Sequence, residues 1–218
     1  MKMTAQKYNQ VNPKARAFTL VELLMVISII GLISALTVAA IRSAGPKKGR
    51  ALTEAMLAKY ILAIEAYKSK VGTYPPDCPA NAALRPDLNP LAYELSAVNI
   101  NAAGNYLPDV NPNLAVTPAQ VTSAFPALAG FANSRPLTAP MTKPRYSMPM
   151  KGGSGKSADF VVITNIIYLQ VPADHPTLGT NVWRYRAYPT TGHNPKTYDL
   201  WAEIKDGSGA TNIIGNWK

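Results

Sequence analysis

The chain has 218 residues, 47% hydrophobic and 16% charged, with a formal charge of +10 and a single cysteine. That length suffices for one membrane helix and one ordinary domain, and a lone Cys78 excludes an intrachain disulfide. Divided along the chain, the charge is +4 over residues 1–17, −1 over 18–41, +5 over 42–71 and only +2 over 72–218, so a basic groove for nucleic acid is not indicated.

Residues 1–17 form a polar leader whose charge comes from Lys2, Lys7, Lys14 and Arg16. Residues 18–41 follow as an apolar run with one charge, Glu22. As a helix the run extends roughly 36 Å against a hydrocarbon core of about 30 Å, enough to cross a membrane. A carboxylate near the centre of such a span costs roughly 2.5–3.5 kcal/mol and calls for a partner. Glu22 lies in the first helical turns, where unpaired N–H groups favour negative charge. A secretory signal peptide has a shorter, uncharged apolar stretch of about 7–15 residues. A plain membrane anchor leaves Glu22 unexplained.

The basic leader, the small Ala17 and then Phe18-Thr19-Leu20-Val21-Glu22-Leu23-Leu24 resemble the signal of type IV pilins and type II secretion pseudopilins. The resemblance implies that a prepilin peptidase cuts between Ala17 and Phe18 and methylates the new Phe18 amine. It also implies that Glu22 pairs with the amine of a neighbouring subunit during assembly. The family's residue before the cut is normally Gly; here Ala17 stands in its place. Charge on the two sides of the span is nearly balanced and does not set orientation. The resemblance puts the leader in the bacterial cytoplasm and the head in the periplasm, on a single-pass inner-membrane protein that assembles into a periplasmic or surface filament.

Gly45-Pro46 predicts a weakening or kink of the helix, since proline removes one backbone hydrogen bond and crowds the preceding turn. Over residues 42–72 the pattern Leu52, Met56, Tyr60, Ile64, Tyr67, Val71, widened by Leu57 and Ile61, predicts an amphipathic stem helix ended by Gly72 and Pro75-Pro76. Residues 73–157 hold most of the prolines and little periodicity, and read as long ordered loop with a helical turn or two near residues 89–95. Lys151 to Lys156 is glycine-rich but lacks the spacing of a phosphate loop. Residues 158–218 carry β signals: 159–171, 181–188, 197–204 and 211–217, joined by short turns. The expected fold class is α+β, with a long helical stem and an antiparallel sheet of three or four strands packed on its amphipathic half.

Trp183-Arg184-Tyr185, Pro189, His193-Asn194, Tyr198-Asp199-Leu200-Trp201, Asp206-Gly207 and the closing Ile214-Gly215-Asn216-Trp217 resemble the end of the major (G-type) pseudopilin, as does the stem exit from Tyr67 to Pro75. The resemblance implies a structural subunit that polymerises to drive protein export. Its partners would be further copies of itself, prepilin peptidase, an inner-membrane assembly platform, minor pseudopilins and, before assembly, membrane lipid. The long region 73–157 departs from the compact family pattern. A type IV pilin for adhesion or motility, and a bitopic membrane protein with a binding head, are the alternatives.

In that subfamily the loop after the Tyr-Asp strand often binds calcium. Only Asp206 matches, and Ala210-Thr211-Asn212 occupies the place of a second Asp. Calcium takes six to eight oxygens, so the loop reads as a solvated Asp-Gly turn, with calcium at Asp206 as the alternative. Asp199 reads as a strand-turn residue. His175 and His193 are isolated, without the spaced partners of a metal or catalytic site, and no enzyme activity or cofactor is expected.

Overall fold

The computed structural model describes residues 18–78, 85–138, 145–153 and 155–217, with the backbone alone over 39–44. The leader 1–17, including Ala17, and parts of the proline-rich region lie outside the described residues. The chain divides into two units, Met1–Arg42 and Ser43–Lys218.

Helix α1 covers Leu20–Val71, 52 residues, with Pro46 inside it. The helix runs on through Gly45-Pro46 without a break, and proline there removes one backbone hydrogen bond. From Thr53 onward α1 carries the predicted apolar stripe, turned by about one residue. Thr53, Leu57, Tyr60, Ala63, Ile64 and Tyr67 are buried, whereas Leu52 is 45% exposed. Their spacing of three and four residues places them on one face. The buried Thr53 hydroxyl donates to the Gly49 carbonyl (2.8 Å), so no polar group is left open on that face.

The C-terminal part supplies the sheet. Strands β6 (Arg184–Ala187), β7 (Tyr198–Lys205) and β8 (Thr211–Gly215) form a three-stranded antiparallel sheet in the order β6-β7-β8. The register pairs Tyr185 with Leu200 and Ala202 with Ile214. The predicted run 159–171 is a hairpin rather than one strand. Its two strands, β4 (Phe160–Ile163) and β5 (Ile166–Leu169), turn at Thr164 and Asn165, both at positive φ (49° and 63°). Two consecutive residues in that region are the signature of a tight hairpin turn. A bridge from Gln170 to Val182 ties the hairpin to the start of β6. Trp183 is buried with its ring edge-on to Tyr60 of the stem, 5.5 Å between centroids. This is the α+β fold expected, with the sheet on the amphipathic half-helix.

The proline-rich region holds more structure than its composition suggests. It contains α2 (Leu91–Ser96), β1 (Val98–Ile100), β2 (Tyr106–Pro108), α3 (Pro118–Ala124) and β3 (Ser134–Pro136). The three strands form a small sheet in the order β2-β1-β3, with β1 and β3 parallel. What fastens this region is Glu94, fully buried on α2. Its carboxylate accepts the Tyr67 hydroxyl from the stem (2.8 Å) and the backbone N–H groups of Ala132 (2.7 Å) and Asn133 (2.9 Å). The Asn133 amide in turn donates to the Glu94 carbonyl (2.6 Å). One carboxylate thus joins stem, short helix and loop, which apolar packing alone would not orient.

At the C-terminal end the buried Asp199 accepts the backbone N–H groups of His193 and Asn194, each at 2.9 Å. The His193 ring stacks on Trp217 (4.1 Å), which meets Trp201 edge-on (5.6 Å). These contacts close the end of the chain where no disulfide is available.

Candidate processing and assembly site

Phe18 is 74% exposed, two residues before the start of α1 at Leu20. Thr19 is the N-cap and Glu22 the third helical residue. The Glu22 N–H bonds to Thr19 Oγ1 (3.2 Å), and Glu22 Oε2 accepts the Thr19 N–H and hydroxyl, both at 2.8 Å. This is a capping box, in which two residues satisfy each other's open backbone donors. The Thr-x-x-Glu spacing announces it in the sequence, yet the reading of Glu22 as an assembly residue passes over it. Both bonds fall on Oε2; among the described residues no donor reaches Oε1. The same carboxylate can therefore cap its own helix with one oxygen and meet an external cation with the other.

Beyond Glu22 the helix is an uncovered apolar surface. Leu20–Val38 is long and apolar enough to cross a membrane, and none of it is buried within the protein. Of its three hydroxyl side chains, Ser28 donates to the Leu24 carbonyl (2.7 Å) and Thr37 to that of Ile33 (2.8 Å), so both are satisfied on the helix's own backbone. An apolar surface of this extent in water is covered by lipid or by other chains.

Asp206, at the end of β7, lies in a different setting. Its Oδ1 accepts the Ser208 hydroxyl (2.7 Å) and the backbone N–H groups of Ser208 and Ala210, each at 2.9 Å. The Ser208 hydroxyl, followed by the backbone N–H groups, holds its carboxyl below the usual range. All three donors fall on Oδ1 of Asp206, as in a self-capped Asp-Gly turn. Among the described residues no group of three or more His, Cys, Asp or Glu side chains is placed to hold a metal.

The histidines are likewise committed. His175 Nε2 lies 3.3 Å from Glu203 Oε2 and 2.8 Å from the Arg184 guanidinium, and its Nδ1 faces the N–H groups of Thr177 and Leu178. Arg184 also pairs with Glu203 (3.2 Å). This knot fastens β6 to β7 and to the loop before β6.

A family model described as the prokaryotic N-terminal methylation motif matches residues 12–38. The match takes in Ala17, Phe18, Glu22 and nearly all of the exposed apolar helix, and identifies this segment as a type IV pilin-like prepilin signal. No curated protein and no solved structure matches the chain.

Proposed function

We propose that the chain is a structural subunit of a type II secretion pseudopilus, cleaved between Ala17 and Phe18, methylated at Phe18, and polymerised through its N-terminal helix to drive protein export. The observation that carries this reading is the methylation motif lying on an uncovered apolar helix with a carboxylate in its first turn. Cleavage converts the Phe18 amide into an amine. Positive charge there opposes the helix dipole of its own chain, and Glu22 Oε1 offers an acceptor to the amine of a neighbour. An unpaired carboxylate among packed apolar helices is costly, so each incoming subunit is held in the register that pairs it. Lipid covers the helix before assembly; the assembly platform and minor pseudopilins act on it during assembly, with the head in the periplasm.

The similarity of the chain's last residues to the major pseudopilin favours secretion. The folded region between α2 and β3 favours a second reading, a type IV pilin for adhesion or motility, in which such regions vary. Deleting the gene separates them. Loss of exported proteins from the medium with surface motility intact supports the pseudopilus, and the reverse pattern overturns it in favour of the pilus.

A further inference from the structure

Beside the stem, seven residues after the apolar stretch ends at Val38, lies a groove of about 550 Å³ that the assembly reading does not use. One wall is α1 from Gly45 to Leu52; the other is the loop around Pro172 to Asp174 with Lys156 and the β7 end. Gly49 lets the walls approach: a Cβ there would sit 3.3 Å from that of Ala173. Three lysines, Lys48, Lys156 and Lys205, face two acids, Asp174 and Asp206. Both acids are already committed. Asp174 pairs with Lys156 (2.6 Å), and Asp206 is taken up by its own turn. Lys48 and Lys205, one from each wall, have no ion-pair partner among the described residues. Between them the surface is apolar, with Leu52 45% exposed beside Pro46 and Pro172.

We infer that this groove binds the headgroup phosphate of an anionic phospholipid, with Lys48 and Lys205 on the phosphate and Leu52 and Pro172 against the glycerol and first acyl carbons. The inference rests on the membrane-anchored reading above. Three lysines against two carboxylates leave a net charge of +1 beside an apolar floor, which suits a phosphate attached to hydrocarbon better than a free ion. In sequence, the groove's first residue, Gly45, follows the apolar span by seven residues, within reach of such a ligand. Lysines held near a bilayer surface attract anionic lipid headgroups. Lipid held here keeps the subunit seated before assembly and is released when the stem leaves the membrane.

The test uses the full chain in detergent micelles, titrated with phosphatidylglycerol or phosphatidylcholine and read by native mass spectrometry. A lysine near an anionic lipid is worth roughly fivefold, so the unaltered chain is expected to retain phosphatidylglycerol about 25-fold over phosphatidylcholine. Lys48→Ala with Lys205→Ala brings the ratio near one without changing the melting temperature. Lys47→Ala, whose side chain is exposed and does not line the groove, leaves it intact. No preference in the unaltered chain overturns the inference. An equal loss in Lys47→Ala overturns it in favour of diffuse charge, and displacement by millimolar inorganic phosphate in favour of a free-anion site. Flotation with pure phosphatidylcholine vesicles reads the apolar helix separately. A chain that floats but shows no preference loses only the groove, whereas a chain that does not float loses the anchor as well.

Discussion

Removing one oxygen, in Tyr67→Phe, tests how the stem is fastened to the region around α2. Tyr67 is fully buried, and its ring packs edge-on to Tyr146 (6.2 Å), contacts that phenylalanine keeps. What disappears is the 2.8 Å hydrogen bond to Glu94, one of three that the carboxylate accepts. Burial pushes the Glu94 carboxyl up to about 7, against the lowering by Tyr67, Ala132 and Asn133. An unfolded glutamate titrates near about 4.3. Between those values the folded chain keeps a proton that the unfolded chain has released, so this group's contribution to stability is full in acid and is lost as pH rises to about 7. At pH 8 the lost bond is to a charged group and costs about 2 kcal/mol; at pH 5 it is to a neutral acid and costs about 1 kcal/mol. At roughly 2–4 °C per kcal/mol for a domain of this size, melting falls by about 4–8 °C at pH 8 and about 2–4 °C at pH 5. The assay is thermal unfolding of the full chain in detergent, followed by tryptophan fluorescence, which reports the buried Trp183 at the stem. The difference between the two chains cancels every other titrating group. Equal losses at both pH values, or none, would refute the argument that Glu94 is a charged pin.

Glu22→Ala is expected to leave the head's melting temperature unchanged and to reduce fibre assembly on the order of a hundredfold, the effect of breaking a buried charge pair; pulldown of cross-linked multimers checks it, and normal assembly sinks the registry role. Asp199→Ala strands the N–H groups of His193 and Asn194 and is expected to cost about 2–4 kcal/mol. That loss would be read as a lower urea midpoint with an unchanged slope. Millimolar calcium, or its removal by chelator, is expected to shift melting by less than about 1 °C, because Asp206 already accepts three donors. A rise of several degrees with calcium, abolished by Asp206→Asn, would show that the loop rearranges to bind it.

Much of this architecture is legible from residues 18–71 and 158–217, because periodicity is strong there. The stem stripe is offset by one residue because Thr53 is buried with its hydroxyl satisfied locally, which a hydrophobicity pattern cannot register. The hairpin at Thr164 and Asn165 is hidden because neither residue is glycine, although both adopt positive φ. The β2-β1-β3 sheet is hidden for another reason: its strands have three residues each, and two of them end in proline. Glu94 is the clearest miss. A lone acid in Leu-Ala-Tyr-Glu-Leu looks solvent-facing, and its partners Tyr67, Ala132 and Asn133 lie far away in sequence. At the processing site the residues were readable but their local use was not: Thr19 and Glu22 cap the helix that Glu22 is expected to register.

Intact mass and N-terminal sequencing of the membrane-extracted protein test the central claim most directly. The account predicts a chain that begins at methylated Phe18, lacking residues 1–17 and carrying one added methyl group. A chain that keeps Met1, or one that starts beyond Ala40 as a secreted protein would, contradicts it.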